Sequence, residues 1–224
     1  MEIKPIASSS KGNAYLISDF QTTVLIECGI PLKELKRKTN FIVPNVIDAC
    51  LISHEHGDHS KSLKDLLNAG VRCYALKEVF EAKEINNHHR AKRIKHLKQI
   101  DIGTFKIIPL DVPCVGFLIY SVVTNEKLLF ATDTYMIKYA FHGLDYIMIE
   151  ANYDIELVEE DTQRKRLIQS HMSIDTTIQY LKSIDLNTVK KIYLMHLSSR
   201  HSNEEDFKRR VQAATGKVVE VCQE

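Results

Sequence analysis

Residues 53–59 read Ser-His-Glu-His-Gly-Asp-His and place four potential metal ligands within six positions. The preceding run, 46–52, is almost wholly apolar and predicts a buried strand. The amphipathic segment 62–69 predicts a helix that ends at Gly70. The ligand-rich stretch therefore falls on a turn between a strand and a helix, where a rigid scaffold can direct several side chains toward one point.

The spacing within this turn favours two adjacent metal ions. His54 and His56 are two residues apart and project to the same side of an extended chain. Asp58 and His59 lie beyond Gly57, where the chain turns, so the two pairs are poorly placed to share all their ligands. Imidazole suits zinc, iron, nickel and copper, and carboxylate extends the choice to manganese. We therefore expect zinc or manganese, with up to two ions.

The bulk composition is ordinary for a globular protein, with 44% hydrophobic and 26% charged residues. The 224 residues show no linker or repeat, which predicts a single domain over 1–224. Five cysteines are scattered singly, which fits reduced thiols better than a disulfide framework. No run approaches the ~20 apolar residues of a membrane span. We expect a cytoplasmic protein without membrane contact.

A basic run, 88–98, holds five lysines or arginines and three histidines. The net charge is only +1, so any contact with nucleic acid needs a local patch of this kind. Two interpretations stay open: a solvated helix face, as most charge runs are, or a patch that contacts phosphates.

Two further candidates stand at the carboxyl ends of apolar runs. Asp133 follows the run 127–131, and His196 follows the run 189–195. Such a position suits a site residue, although an isolated aspartate there is more often a helix cap. A third candidate, His171, lies in Ser-His-Met-Ser before a predicted helix that extends through Leu181.

These motifs resemble those of the metallo-β-lactamase fold, and in particular its YycJ-type branch, which is related to RNase J and RNase Z. The resemblance extends over essentially the whole chain. It implies an α/β fold, a four-layer αββα sandwich with the metal site at the edge between two β-sheets. It makes Asp133 the bridging ligand. The implied metal ligands are His54, His56, Asp58, His59, Asp133 and His196.

One ligand of that pattern is missing. In the YycJ-type branch a third histidine opens an H-D-x-P-C-like segment, whereas here residues 110–114 read Leu-Asp-Val-Pro-Cys. Leu110 cannot bind a metal. Of the two expected ion sites, the one that includes His54 and His56 would keep those two histidines and the bridging Asp133. We call it the first ion site.

Three outcomes follow for the first ion site. Asp111, Cys114 or another residue substitutes, water fills the gap, or the site is weak. The second ion site has a full set in Asp58, His59, Asp133 and His196, so we expect it to bind more tightly.

The resemblance implies a metal-dependent hydrolase, and the motifs around His171 and His196 favour a nuclease or phosphodiesterase that acts on DNA or RNA. Asp58 would orient the attacking water, and His171 would stabilise the transition state or protonate the leaving oxygen. Two alternatives stay open. One is hydrolysis of a small ester, thioester or lactam. The other is a catalytically degenerate nucleic-acid-binding protein, which Leu110 favours. The sequence does not specify the oligomeric state.

Overall fold

The computed structural model describes residues 1–159 and 162–223. The chain divides into two compact units. The first comprises Met1–Pro109 and Tyr120–Asn125, with Gln223, and the second comprises Leu110–Ile119 and Glu126–Cys222. The single domain expected over 1–224 stays a prediction.

A mixed β-sheet organises the first unit. Its strands, in spatial order, are β1 (Glu2–Ser9), β2 (Gly12–Ser18), β3 (Thr23–Ile26), β4 (Ala49–Leu51), β5 (Cys73–Ala75) and β6 (Ala91–Arg93). The pairs among β1, β2 and β3 are antiparallel, and those among β3, β4, β5 and β6 are parallel. The parallel strands therefore bring their carboxyl ends to one edge of the sheet.

The helices of the first unit connect and cover these strands. They are α1 (Leu32–Lys38), α2 (Ile42–Asn45), α3 (Gly57–Ser60), α4 (Leu63–Asn68) and α5 (Lys77–Ala82). Leu35 of α1 and Leu66 of α4 are fully buried in the apolar core, beside Leu25 of β3. A short hairpin of β7 (Ile100–Ile102) and β8 (Phe105–Leu110) follows the sheet in the sequence.

The second unit has strands in the spatial order β13, β12, β11, β10, β9. Their bounds are β9 (Gly116–Ser121), β10 (Lys127–Ala131), β11 (Tyr146–Glu150), β12 (Lys191–Met195) and β13 (Val218–Val221). The strands from β10 to β13 are parallel. Their near-continuous apolar runs are buried, as expected for parallel strands covered on both faces.

Three helices accompany the strands of the second unit: α6 (Thr162–Ser170), α7 (Ile174–Ser183) and α8 (Glu204–Thr215). Ser173 caps α7 by accepting a hydrogen bond from the Thr176 N–H, at 3.1 Å. Asn203 caps α8 in the same way, and Gly216 ends it in the left-handed conformation. No helix in the described part of the chain is long and apolar enough to cross a membrane.

The basic run 88–98 is not a helix. Residues 91–93 form β6, and turns and extended chain occupy the rest. The helix interpretation was wrong because Ala91 pairs with Cys73 of β5, so the sheet determines the local structure. Lys92, Arg93 and Lys95 are exposed, and their role as a phosphate-contacting patch stays a prediction.

Candidate metal centre and its relatives

The ligand-rich turn lies at the carboxyl end of β4, and α3 carries its last two ligands. The His54 Nε2 lies 2.9 Å from the His56 Nδ1, so the two rings share one side as predicted. The His54 and His59 ring centres are 4.2 Å apart. The Asp58 Oδ2 lies 3.3 Å from the His59 Nε2. The four predicted ligands of the first unit therefore lie together.

Glu27, which the sequence prediction missed, supports this turn from β3. Its carboxylate is fully buried, accepts a hydrogen bond from the Ser53 N–H at 3.2 Å, and lies 3.7 Å from the His59 Nδ1. Burial raises the pKa of Glu27, and its contacts with His59 and Ser53 offset only part of that effect. A carboxylate behind a ligating histidine fixes the orientation of the ring.

The serine-rich turn between β1 and β2 also reaches the ligands. The buried Asn13 side chain donates a hydrogen bond to the Asp58 carbonyl oxygen, at 3.2 Å, and lies 3.3 Å from the His59 Nε2. Gly29 approaches the same backbone so closely that a Cβ there would lie 1.6 Å from the Asp58 carbonyl oxygen. The α3 ligands are therefore fixed by backbone packing from two sides.

A second cluster of donors occupies the carboxyl ends of the second unit's strands. One ligand atom from each of Asp133, Glu150, His171 and His196 lies within 4.8 Å of the other three. The Asp133 Oδ1 is 3.5 Å from the His196 Nε2. His171 and His196 stack with ring centres 5.4 Å apart. The three residues predicted in this unit therefore lie together.

Glu150, also missed by the sequence prediction, holds this cluster in place. Its Oε1 accepts hydrogen bonds from His171 Nδ1, at 2.6 Å, and from His196 Nδ1, at 3.2 Å. Its Oε2 accepts one from the Thr134 N–H, at 3.1 Å. Asn152 donates to the His196 carbonyl oxygen, at 2.7 Å. Glu150 thus binds the Nδ1 atom of each ring. The Nε2 atoms of His171 and His196 are left to face the Asp133 side of the cluster.

Glu150 also affects the proton affinity of His171. Burial lowers the pKa of His171, but the hydrogen bond to Glu150 and the negative charges of Glu150 and Asp133 raise it by more. The net pKa lies above the usual value for histidine. His171 therefore keeps its second proton to a higher pH than an exposed histidine does.

Three of these residues have a backbone conformation that is rare for residues other than glycine. Glu27, Asp133 and His196 have φ values of 63°, 47° and 55°, and each follows the end of a buried strand. This left-handed conformation costs energy and concentrates at functional sites. It turns the chain sharply where a carboxylate or imidazole must leave the sheet edge.

The second-unit cluster fits a divalent metal ion. Asp133 and His196 offer it a carboxylate oxygen and an imidazole nitrogen, ligand types that zinc takes and that manganese tolerates, while both oxygens of Glu150 accept hydrogen bonds. The hydrogen bonds from the ring Nδ1 atoms to Glu150 follow the usual pattern for metal-bound histidine, in which the second nitrogen contacts a carboxylate. That the two units' groups serve one dinuclear centre stays a prediction.

Leu110 ends β8 and is buried. The neighbouring Asp111 carboxylate is 51% exposed and pairs with the Lys138 Nζ at 2.7 Å. That ion pair makes Asp111 a poor substitute for the missing histidine.

The protein-family model that describes the beta-lactamase superfamily domain matches residues 22–197, which is most of the chain. The chain belongs to the beta-lactamase superfamily. The solved structure of the metallo-beta-lactamase fold protein YhfI from Bacillus subtilis superimposes with a TM-score of 0.73 and 14% identity, over 99% of this chain and 95% of that one. The predicted family and its αββα fold class are therefore confirmed.

Two curated relatives of this superfamily member carry more specific names. Exodeoxyribonuclease WalJ of Streptococcus pneumoniae is 27% identical over 231 residues, covering 89% of this chain and 82% of the relative. Exodeoxyribonuclease YycJ of Bacillus anthracis is 23% identical over 222 residues, covering 89% of this chain and 83% of the relative. The predicted resemblance to the YycJ-type branch is confirmed.

Replacing Glu150 by glutamine is expected to lower metal affinity or activity by about 10–100-fold, because both rings lose their anionic partner. The change keeps the size of the side chain. Competition with a chromogenic chelator measures the affinity. Glu126→Gln is the matched control: Glu126 is also a buried carboxylate of the second unit, but it precedes β10 and so lies at the opposite end of the parallel strands. Equal metal affinity in the two variants would contradict the role of Glu150.

Proposed function

We propose that this protein is a metal-dependent phosphodiesterase that hydrolyses DNA and releases nucleotides from an end. The observation that carries the proposal is the match to two exodeoxyribonucleases over 89% of the chain. Asp133 and His196, beside Glu150 and His171, support it, because a carboxylate and an imidazole suit the divalent ions that such hydrolysis uses.

The protein groups have separable tasks in this reaction. When bound, divalent ions supply a water molecule that ionises near neutral pH, and positive charge beside the phosphate. We propose His54, His56, Asp58, His59, Asp133 and His196 as the ligands. Asp58 accepts a hydrogen bond from the attacking water and orients it. His171, held by Glu150 at 2.6 Å, donates a proton to the leaving oxygen.

The decisive assay compares end-labelled DNA and RNA of one sequence, single- and double-stranded, with zinc, with manganese and with a chelator. We expect mononucleotides from DNA only when metal is present. Elemental analysis of the same sample gives the metal per chain. A protein that binds metal but leaves every nucleic acid intact while cleaving esters, thioesters or lactams would overturn the proposal in favour of the small-molecule hydrolase.

Leu110 leads to a prediction about the two ions. We expect calorimetric titration of the metal-free protein to show one tight and one weak site, because Leu110 provides no ligand and Asp111 is paired with Lys138. The variant Leu110→His should tighten the weak site about 10-fold or more, by adding an imidazole ligand. The substitution Leu118→His, at a half-buried position of β9, controls for an added histidine.

Two equally tight sites in the unchanged protein would contradict this prediction. Activity gives a second result. A large gain of DNA hydrolysis in Leu110→His, from an inactive parent that binds DNA, would favour the degenerate binding protein.

A further inference from the structure

A groove with a volume of about 800 Å³ runs along α1 in the first unit. We call it the α1 groove. Its lining combines apolar and cationic side chains: Pro31, Leu32, Lys33, Lys36, Arg37 and Phe41. None of these residues belongs to the proposed metal centre, so the groove is a separate feature of the surface.

The backbone of Phe41 is held by hydrogen bonds, although its side chain is exposed. Phe41 is 62% exposed. The Phe41 N–H donates to the Lys36 carbonyl oxygen at 2.8 Å, and the Asn45 side chain donates to the Phe41 carbonyl oxygen at 3.1 Å. Its φ is 64°, an unfavourable conformation for a bulky residue. The exposed ring therefore stands in the wall of the groove together with cationic side chains, where a base can stack on it.

The charges around the ring are mostly positive. Lys33, Lys36 and Arg37 line the groove, and Glu34 is its one acidic lining residue. Glu34 lies 3.6 Å from the Lys38 Nζ, which offsets its charge. An aromatic face flanked by cations is the pattern by which proteins hold single-stranded nucleic acid: bases stack on the ring, and the cations contact phosphates.

The groove begins beside the ligand-rich turn. Residues 28–30 are hydrogen-bonded to α3 and to the residues that follow it. The Cys28 N–H donates to the His59 carbonyl oxygen at 2.8 Å, and the Ser62 hydroxyl donates to the Ile30 carbonyl oxygen at 2.5 Å. The next residue, Pro31, already lines the groove. The Pro31 end of the groove is therefore bonded, through residues 28–30, to the segment that carries Asp58 and His59.

We propose that the α1 groove binds the unpaired part of a DNA strand, with a base stacked on Phe41 and phosphates contacted by Lys33, Lys36 and Arg37. The proposal rests on the proposed function and deepens it, since it names the part of the DNA that the groove holds. The groove binds the polymer away from the reacting phosphate, so it affects KM for long substrates and leaves the chemistry unchanged.

The test compares Phe41→Leu with Phe20→Leu. Phe20 is a matched control: it is 78% exposed, has a φ of 71°, and lies in the turn between β2 and β3, at the amino-terminal end of β3. For Phe41→Leu we expect KM for a single-stranded oligonucleotide to rise about 10-fold, in line with the loss of one stacked base. We expect kcat, and kcat/KM for bis(p-nitrophenyl) phosphate, to stay within about twofold of the parent, as stacking does not touch the reacting phosphate. Phe20→Leu should leave the kinetic constants for both substrates unchanged.

A charge variant tests the phosphate contacts independently. The double substitution Lys33→Gln and Arg37→Gln should reduce the slope of log affinity against log salt by about 1.4, since each contact with a single strand contributes about 0.7. Fluorescence anisotropy of labelled single-stranded DNA, with a chelator present to prevent cleavage, measures the affinity.

The outcomes separate this inference from the proposed function. If the parent degrades DNA and Phe41→Leu degrades it equally well, the groove proposal is overturned and the nuclease stands. If the parent degrades no DNA but binds it, and Phe41→Leu weakens that binding, the groove stands without the nuclease. Absence of binding to single-stranded DNA overturns the groove proposal and leaves a protein partner as the occupant to seek.

Discussion

Alanine in place of Asp133 is expected to slow DNA hydrolysis by about a thousandfold or more and to lower the metal content. The Asp133 carboxylate is nearly buried, and its Oδ1 lies 3.5 Å from the His196 Nε2. As the proposed bridging ligand it would serve both ions, so its loss would affect both. Metal ions contribute several kcal/mol to stabilising charge in such transition states, and each ~1.4 kcal/mol is a factor of ten in rate.

The measurement is kcat/KM on end-labelled DNA together with metal per chain. Asp133→Asn removes the negative charge and keeps the fold, because asparagine tolerates the left-handed φ of 47° found at this position. We expect Asp133→Asn to keep its circular dichroism spectrum and to lose activity. Asp185→Ala, at a half-buried position of the same unit, should leave the rate unchanged. Full metal content and full rate in Asp133→Asn would contradict the bridging role.

The sequence predicted the ligand-rich turn well because its signals are local. An apolar run before the turn and an amphipathic segment after it correspond to β4 and α4. Residues 32–38 carry the same kind of amphipathic pattern and form α1, where Leu35 is buried and Lys33 and Arg37 are exposed. The short helix α2 was not predicted, because its four residues carry no helical periodicity.

Glu27 and Glu150 were missed because their partners are distant in the sequence. Glu27 contacts His59, 32 positions away, and Glu150 contacts His196, 46 positions away. Each glutamate closes a buried strand, as do Asp133 and His196. The same signal, a charged residue at the carboxyl end of an apolar run, was therefore available for both. Their function became visible only when the sheets brought the strand ends together.

The left-handed conformations could not be predicted either. Glu27, Asp133 and His196 adopt positive φ, which is uncommon outside glycine even though aspartate and histidine adopt it more often than most residues. Their conformation is imposed by packing around the strand ends, including the bond from the Glu27 N–H to the Leu51 carbonyl oxygen, at 2.9 Å. Tertiary structure thus overrides local preference at the residues that the site uses, which is where such overrides are expected.

Replacing His171 by alanine is expected to slow DNA hydrolysis about 10²–10⁴-fold, the usual contribution of a positioned acid or base. His171 keeps its Nδ1 on Glu150 at 2.6 Å, and the raised pKa favours the protonated ring. A protonated imidazole can donate to the poor leaving oxygen of a nucleotide. The p-nitrophenolate of bis(p-nitrophenyl) phosphate leaves without that proton.

The two substrates therefore separate the possible roles of His171. If His171 is the general acid, His171→Ala should lose its rate on DNA and keep its rate on bis(p-nitrophenyl) phosphate within about tenfold, because only the DNA leaving group needs a proton. If His171 is chiefly a metal ligand, both rates and the metal content should fall together. His142→Ala, whose side chain is 82% exposed in the same unit, should change neither rate. Cleavage of DNA at the parent rate by His171→Ala would exclude both roles.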